Sequence, residues 1–483
     1  MNFYSRLEQY HDRCALVVAN DRRVSYAELA GLSDKLGVKL NAGLAGTDGA
    51  RALVVLLCEN SLEALVGYVA CLRYGAVPLL LSVEINQCFL DKLLDAYQPD
   101  LLWLPAERLH MLPKAVAKPT IHQLGHYVLL PGTARTTCSM HSQLALLLTT
   151  SGSTGSPLLV RQTYRNITSN ANSIAQSLSL SADDRPITTL PFHYTYGLSI
   201  IHSHLLVGAT IVLNSSSLLD REFWSLLGRK QATSFGGVPY SFEILKRLCF
   251  FRMEFPYLKK ITQAGGKLAD DLAIEFSSWC GDKGIAFYVM YGQVEATARM
   301  ACLPSADAVK KAGSVGKPIP GGKFWLEDQQ GQRIDTPDTV GELVYQGDNV
   351  TWGYARNRDD LQRGDENHGT LHTGDLARFD AEGYYYIVGR KKRFIKMFGH
   401  RVNLAELDNL ITAEFGGACA CTGSDDHLRV HFTGDASPVS VKEYVVRTTG
   451  FHHAAIKVYP IDTIPRNEAG KILYAALDEA SQT

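Results

Sequence analysis

No stretch of this chain approaches the ~20 consecutive apolar residues of a membrane-spanning helix, so no membrane span is expected. Neither sign of charge is in excess, with 48 Lys and Arg against 49 Asp and Glu. Nothing in that balance suggests the electrostatic footprint by which proteins hold nucleic acid or anionic lipid. The ten cysteines include no CxxC pair, the closest spacing being Cys419-Ala420-Cys421. The opening MNFYSRLEQYHD carries no secretory leader, so a cytoplasmic protein with reduced thiols is expected. Sequons at Asn166, Asn214 and Asn349 then have no consequence. Internal repeats and low-complexity tracts are absent. At 483 residues the chain has room for two or more domains and a large core.

What is present centres on Leu144–Pro157, LALLLTTSGSTGSP. The apolar run Leu144–Leu148 suits one buried parallel strand. It discharges into Thr149, Thr150, Ser151, Gly152, Ser153, Thr154, Gly155, Ser156 and Pro157. Glycines let backbone N–H groups approach phosphate oxygens, and hydroxyls add donors around them. A Ser/Gly linker has the same composition, but linkers seldom follow a buried strand directly. No GK[ST] follows, so this is not a Walker loop, and the glycine spacing is not that of the dinucleotide fingerprint.

Strand and helix patterns alternate on both sides of this loop, which predicts parallel sheets covered by helices. Before it come a strand at Ala52–Leu57, a helix at Leu62–Arg73 and a strand at Val77–Leu81. After it, strands are expected at Ile187–Leu190, Thr210–Leu213, Thr233–Val238, Lys260–Gln263 and Phe287–Tyr291. Helices are expected at Leu198–Val207, Phe223–Arg229, Phe242–Leu248 and Leu272–Trp279. From about 324 to 388 alternating β segments take over, which predicts an antiparallel or barrel-like subdomain. A boundary is expected near the basic run Gly389–Arg393, itself read as a solvated loop. It separates a large domain, 1–390, from a small α+β domain, 391–483, with helices at Leu404–Phe415 and Val441–Arg447 and a strand at Arg429–Phe432.

Two further stretches place chemistry at strand ends, where parallel-sheet ligands bind. In Tyr291-Gly292-Gln293-Val294-Glu295 the tyrosine can stack on a base and the glutamate can hold Mg²⁺ against phosphates. A core tyrosine and a helix-N-terminal glutamate look the same in sequence. In His372-Thr373-Gly374-Asp375 the short aspartate suits the two hydroxyls of a ribose, or equally a capped turn. Gly313-Ser314-Val315-Gly316-Lys317-Pro318 is too short for a Walker loop, and its proline removes that loop's metal-binding hydroxyl.

TTSGSTGSP, PFHYTYGLS, QAGGKL, YGQVEATAR, GELVYQGD, LHTGD, GYYYIVGRKKRFIK, GHRVNLAELD and PRNEAGKI occur in one order. In that order and spacing the chain resembles the adenylate-forming superfamily, which takes in acyl- and aryl-CoA synthetases, peptide-synthetase adenylation domains and firefly luciferase. The resemblance runs from about residue 20 to the C-terminus. It implies an α/β fold with a large N-terminal domain and a small mobile C-terminal domain. It also implies activation of a small carboxylic acid by ATP and Mg²⁺ to acyl-AMP with release of pyrophosphate. Transfer to CoA or to a carrier protein's phosphopantetheine follows.

By the same resemblance Thr149–Pro157 holds the ATP phosphates, and Tyr291 and Gly292 meet the adenine beside Ala264, Gly265 and Gly266. Glu295 ligates the metal, and Asp375 and Arg390 hold the ribose. Lys392 is the hinge residue, Lys471 reaches the carboxylate and α-phosphate, and His193 lines the acyl site. Tyr196, Val238, Tyr240 and Met290 are the candidate pocket residues, each equally at home in a core.

Departures from the pattern bear on function. Leu158 and Leu159 follow Pro157 where the superfamily has Lys-Gly, which removes a cation; either Arg161 takes over part of its role or the enzyme tolerates weaker phosphate binding. Val294 replaces a threonine, Tyr474 an arginine, and Asn403 and Ala405 an acidic residue and a proline. The aspartate that holds the ammonium of α-amino acids is missing from Tyr194-Thr195-Tyr196-Gly197. A buried ammonium without a partner is costly, so an acid without an α-amino group is expected. Amino-acid adenylation, transfer to an amine, and a non-catalytic nucleotide-binding protein are the alternative functions.

Overall fold

The structure, a computed structural model, describes residues 2–18, 21–42, 51–112, 119–133, 139–149, 158–391, 393–397, 400–424, 426–449, 451–467 and 470–480. The chain forms two compact units, one of residues 1–323 and 345–371, the other of 324–344 and 372–483.

In the first unit, the strand Leu53–Cys58 shows why the largest sheet is double-sided. Leu53, Val55 and Leu57 belong to one core, whereas Val54, Leu56 and Cys58 belong to another. Period-two alternation with apolar residues at every position leaves neither face fit for water. Each such side chain contributes about 1.5–3 kcal/mol on burial. The helix Leu62–Tyr74 then crosses over to the parallel strand Val77–Ser82. Ser61 caps its start, accepting from the Ala64 N–H, and Gly75 ends it at φ 77°.

The resulting eight-stranded sheet is mixed rather than wholly parallel. Its centre is the parallel run Leu144–Thr149, Val77–Ser82, Leu53–Cys58 and Leu101–Pro105. Antiparallel strands flank it, Leu159–Thr163 on one side and Tyr127–Pro131 on the other.

A second sheet runs Ser234–Gly237, Lys260–Gln263, Ala286–Tyr291, Ala301–Leu303 and Lys317–Pro318. Its first three strands are parallel and its last two antiparallel. Lys317, in the Walker-like stretch, therefore sits on an edge strand. Along Ala286–Tyr291, Phe287 and Val289 face an aromatic-rich core, while Tyr288 and Met290 face a separate cluster with Tyr196, Val238 and Ala264. One face of this sheet is thus structural filling and the other borders the candidate acid pocket. The expected strand Ile187–Leu190 is reduced to isolated bridges from Pro186 and Ile187.

The second unit contains most of an open five-stranded sheet, in the order Arg333–Ile334, Lys323–Glu327, Gly341–Gln346, Thr370–Phe379, Tyr385–Arg390. Among the described residues this sheet does not close, which corrects the barrel-like expectation. Beyond it, the strands Ala418–Ser424, His427–Thr433 and Ile456–Pro460 form a sheet whose core includes residues of the helices Leu404–Phe415 and Pro438–Thr449. The basic run is not a plain solvated loop. Lys391 pairs with Glu342 at 2.6 Å and Arg393 with Asp408 at 2.9 Å. Arg393 also lies over the Tyr474 ring, 4.1 Å from its centroid.

Candidate active site

In the first unit, Thr149 and Tyr291 each end a strand, and Ala264–Gly266 follow directly on another. Thr149 ends its strand paired with Leu159, the first residue of the antiparallel strand that follows the Ser/Gly stretch in sequence. Thr150, Ser151, Gly152, Ser153, Thr154 and Gly155 lie outside the described residues. The strand Leu159–Thr163 that receives the loop carries Gln162, whose Nε2 donates to the carbonyls of Val294 and Thr297 at 3.3 and 3.4 Å. The loop's own return strand therefore braces the turn that holds Glu295.

Glu295 sits in the short 3-10 turn Val294–Ala296 just past Tyr291. Its Oε1 accepts from the Tyr354 hydroxyl at 2.9 Å, and its carbonyl accepts from the Thr351 N–H and Oγ1, both at 2.9 Å. Burial, and then the Glu295 carboxylate, push the Tyr354 phenol well above its usual range, which keeps it a donor. Asn349 is buried and donates to the carbonyls of Ala296 and Arg299 at 2.9 Å. Thr297 adopts φ 66°, a conformation costly for a β-branched residue. Its Oγ1 donates to Asn349 O at 2.7 Å, and its carbonyl accepts from Thr195 Oγ1. Gly292 admits no side chain, since a Cβ there would lie 1.6 Å from the Ala298 carbonyl oxygen. A hard oxygen ligand held this firmly fits Mg²⁺, which takes one or two carboxylates and completes its shell with water and phosphate.

Ala264, Gly265 and Gly266 follow the neighbouring strand, in which Gln263 pairs with Val289. Gly265 has φ 88°, and a Cβ there would lie 2.7 Å from Tyr194 Oη and 3.0 Å from Val238. The buried Gln263 fastens this turn, its Nε2 donating to Gly266 O at 2.9 Å.

Of the pocket candidates, the structure brings Tyr196, Val238 and Met290 into one buried cluster. Tyr240 is exposed and stands outside it. Tyr196 is anchored at its hydroxyl, 2.7 Å from Thr262 Oγ1 and 2.9 Å from Thr262 O. His193 is partly buried two residues before the helix Thr195–Leu206.

In the second unit, Asp375 and Arg390 face each other across the pair of strands Thr370–Phe379 and Tyr385–Arg390. Arg390 Nε donates to Asp375 Oδ1 at 2.7 Å; the carboxylate is buried and the guanidinium exposed. The Lys471 N–H donates to Asn467 Oδ1 and its carbonyl accepts from the Asn467 N–H, both at 2.9 Å. Lys392 lies outside the described residues.

Arg161 is not a phosphate ligand in waiting. It is fully buried, Nη1 donating to Arg363 O at 2.6 Å and Gly364 O at 3.2 Å. Nη2 donates to Trp352 O at 2.5 Å and to Glu366 Oε2 at 2.6 Å. It clamps the 352–366 segment, the one that also supplies Tyr354. Gln162, Asn349, Thr351 and Tyr354 were not legible as site residues, because each acts through a partner far away in sequence.

Residues 3–355 match the family model described as AMP-binding enzyme. The 2-succinylbenzoate–CoA ligase of Bacillus pumilus is 30% identical over 68% of both chains. The oxalate–CoA ligase of Arabidopsis thaliana is 25% identical over 96% of this chain and 95% of its own. The solved o-succinylbenzoate CoA synthetase of Bacillus subtilis, in complex with ATP and magnesium ion, shares the fold at a TM-score of 0.78. Its identity is 23%, and the match covers 99% of each chain. No helix among the described residues is long and apolar enough to cross a membrane.

Proposed function

The chain belongs to the AMP-binding enzyme family, and from that premise we propose how its residues divide the work of an ATP-dependent acid–CoA ligase. A carboxylate is a poor acyl donor because its departing oxygen is a poor leaving group. Attack of that carboxylate on the α-phosphorus of ATP expels pyrophosphate and leaves an acyl-AMP. Attack of the CoA sulfur on the acyl carbon then expels AMP, with loss of the thiol proton.

The chemistry asks two anions to approach. Thr149 and the Ser/Gly loop would receive the phosphates on backbone N–H groups and hydroxyls. Glu295 would hold Mg²⁺, which offsets the charge of the phosphates when bound. Tyr291 would stack on the adenine beside Ala264–Gly266, and Asp375 would accept from the ribose hydroxyls with Arg390 alongside. Lys471 would bring its ammonium to the carboxylate and α-phosphate while the adenylate forms. Carried on a small domain, residues 391–483, that turns about Lys392, it would leave once the thiol must enter. His193, Tyr196, Val238 and Met290 would border the acid.

The observation that carries this reading is the Glu295 turn, a carboxylate held by Tyr354 in a turn tied through Gln162 to the strand that leaves the Ser/Gly loop. The acid lacks an α-amino group, since the Tyr194–Gly197 stretch offers no carboxylate to an ammonium. Its relatives act on 2-succinylbenzoate and oxalate.

Pyrophosphate release across a panel of carboxylic acids, with and without CoA, tests the proposal. Acid-dependent release, and thioester formation only with CoA, are expected. Thioester formation only with a phosphopantetheine carrier protein would change the acceptor. Product formation only with an amine would replace the thiol altogether. ATP binding without turnover of any acid would mark a non-catalytic nucleotide-binding protein.

A further inference from the structure

Behind the strand Ala286–Tyr291 lies a cavity of about 20 Å³, more than the roughly 10–15 Å³ that one water needs. Tyr196 and Met290, two of the candidate pocket residues, form part of its wall, and Arg299 forms another part. Arg299 is 3% exposed. Its guanidinium lies over the Tyr196 ring, 4.5 Å from the centroid, and Nη2 donates to Ser199 Oγ at 3.2 Å. Its Nε has no hydrogen-bond partner, and no carboxylate among the described residues lies within ion-pair distance. By contrast, the buried arginines Arg161 and Arg358 each have a carboxylate partner, at 2.6 and 2.8 Å.

The rest of the cavity wall supplies no anion. Lys260 lines it, but its ammonium is paired at 2.7 Å with Asp184, which does not. His204 is buried and held neutral, its pKa pulled down by burial to about 4. Ser199 and Ser203 spend their hydroxyl hydrogens on the carbonyls of Tyr196 and Ser199, at 2.7 and 2.8 Å. The wall therefore presents one buried cation, without a carboxylate partner among the described residues and with its Nε–H unpaired. The Arg299 backbone is pinned as well, its carbonyl accepting from Asn170 and Asn349 at 2.8 and 2.9 Å.

We propose that Arg299 determines specificity: the acid carries, besides the carboxylate that attacks ATP, a second carboxylate that enters this cavity and pairs with the Arg299 guanidinium. The proposal rests on the acid–CoA ligase reading and narrows its substrate to a dicarboxylic acid. A planar guanidinium whose Nε–H lacks a partner suits a carboxylate's two oxygens, and burial strengthens that pairing. The same cation repels an ammonium, in line with the exclusion of α-amino acids.

The test compares short aliphatic and aromatic dicarboxylic acids with their monomethyl esters, matched in chain length, by acid-dependent pyrophosphate release. For the best diacid, wild type should favour the free acid over its monoester by on the order of a hundredfold in kcat/KM, because the ester leaves a buried donor group unpaired. Arg299→Met should bring that ratio close to one by losing the diacid. Arg299→Lys should retain part of the preference. A cation that merely supports the Tyr196 ring would alter thermal stability and leave the ratio unchanged, and that result overturns the proposal. So does equal turnover of diacid and monoester by wild type, a comparison that decides the matter even where Arg299→Met fails to fold. Pyrophosphate release with simple monoacids alone overturns the dicarboxylate assignment and keeps the ligase. Silence with every acid overturns the ligase reading and this proposal with it.

Discussion

The Tyr354 hydroxyl donates to Glu295 Oε1 at 2.9 Å across 59 residues of sequence. The bond fixes the rotamer of the one carboxylate assigned to the metal. Tyr354→Phe should therefore raise the Mg²⁺ concentration for half-maximal activity several-fold. Stability should fall by about 1 kcal/mol, the net worth of one hydrogen bond. A Mg²⁺ titration of pyrophosphate release checks this, and an unchanged midpoint would detach Glu295 from the metal.

Arg161 was placed by sequence to replace the missing loop lysine, and the structure gives it a different task. Its guanidinium satisfies three carbonyls and the Glu366 carboxylate from full burial. Arg161→Met should cost about 3–5 kcal/mol, the usual penalty for breaking a buried pair from one side. Urea denaturation measures the loss. The KM for ATP of the folded fraction should stay near wild type, and a selective rise in that KM would restore the phosphate role.

Much of the frame was legible because burial and periodicity coincide. The run Ala52–Leu57 is apolar at every position, as a strand buried on both faces must be, and it appears as Leu53–Cys58. Phe223–Arg229 and Leu272–Trp279 appear within the helices Arg221–Arg229 and Asp270–Asp282. Ile187–Leu190 has strand composition but finds only bridge partners, since pairing is a property of neighbours and not of the segment. Short antiparallel strands such as Ala301–Leu303 are too brief for alternation to register. Tyr291, Glu295 and Asp375 stood out in the sequence as candidates because a glycine lies beside or near each of them. Arg299 did not, because a motif can say that an arginine is present but not that no anion meets it.

Two buried histidines make the first unit sensitive to acid. His202 stacks on Phe3 and approaches the Tyr68 hydroxyl at 2.7 Å, and burial pulls its pKa down to about 3. His204 is held near 4, again chiefly by burial. A depressed folded-state value favours the neutral ring in the fold, so this stability is present above the unfolded value of about 6.5. It declines as the pH falls from there towards 3–4, because the unfolded chain then binds more protons. Each histidine should add a slope of up to about 1.4 kcal/mol per pH unit in that window. Urea denaturation at pH 7 and pH 5 should show the loss, and His202→Gln should reduce its slope. An equal slope in that variant would mean that His202 is not held neutral.

The central claim is that one site serves two half-reactions, with Lys471 needed only in the first. Its backbone N–H donates to Asn467 Oδ1 at 2.9 Å. Lys471→Ala should lower acid-dependent pyrophosphate release roughly 10²–10³-fold, the range for loss of one preorganised charge-assisted contact. The same variant, supplied with synthetic acyl-AMP and CoA, should form thioester at close to the wild-type rate. Equal damage to both half-reactions would contradict the account.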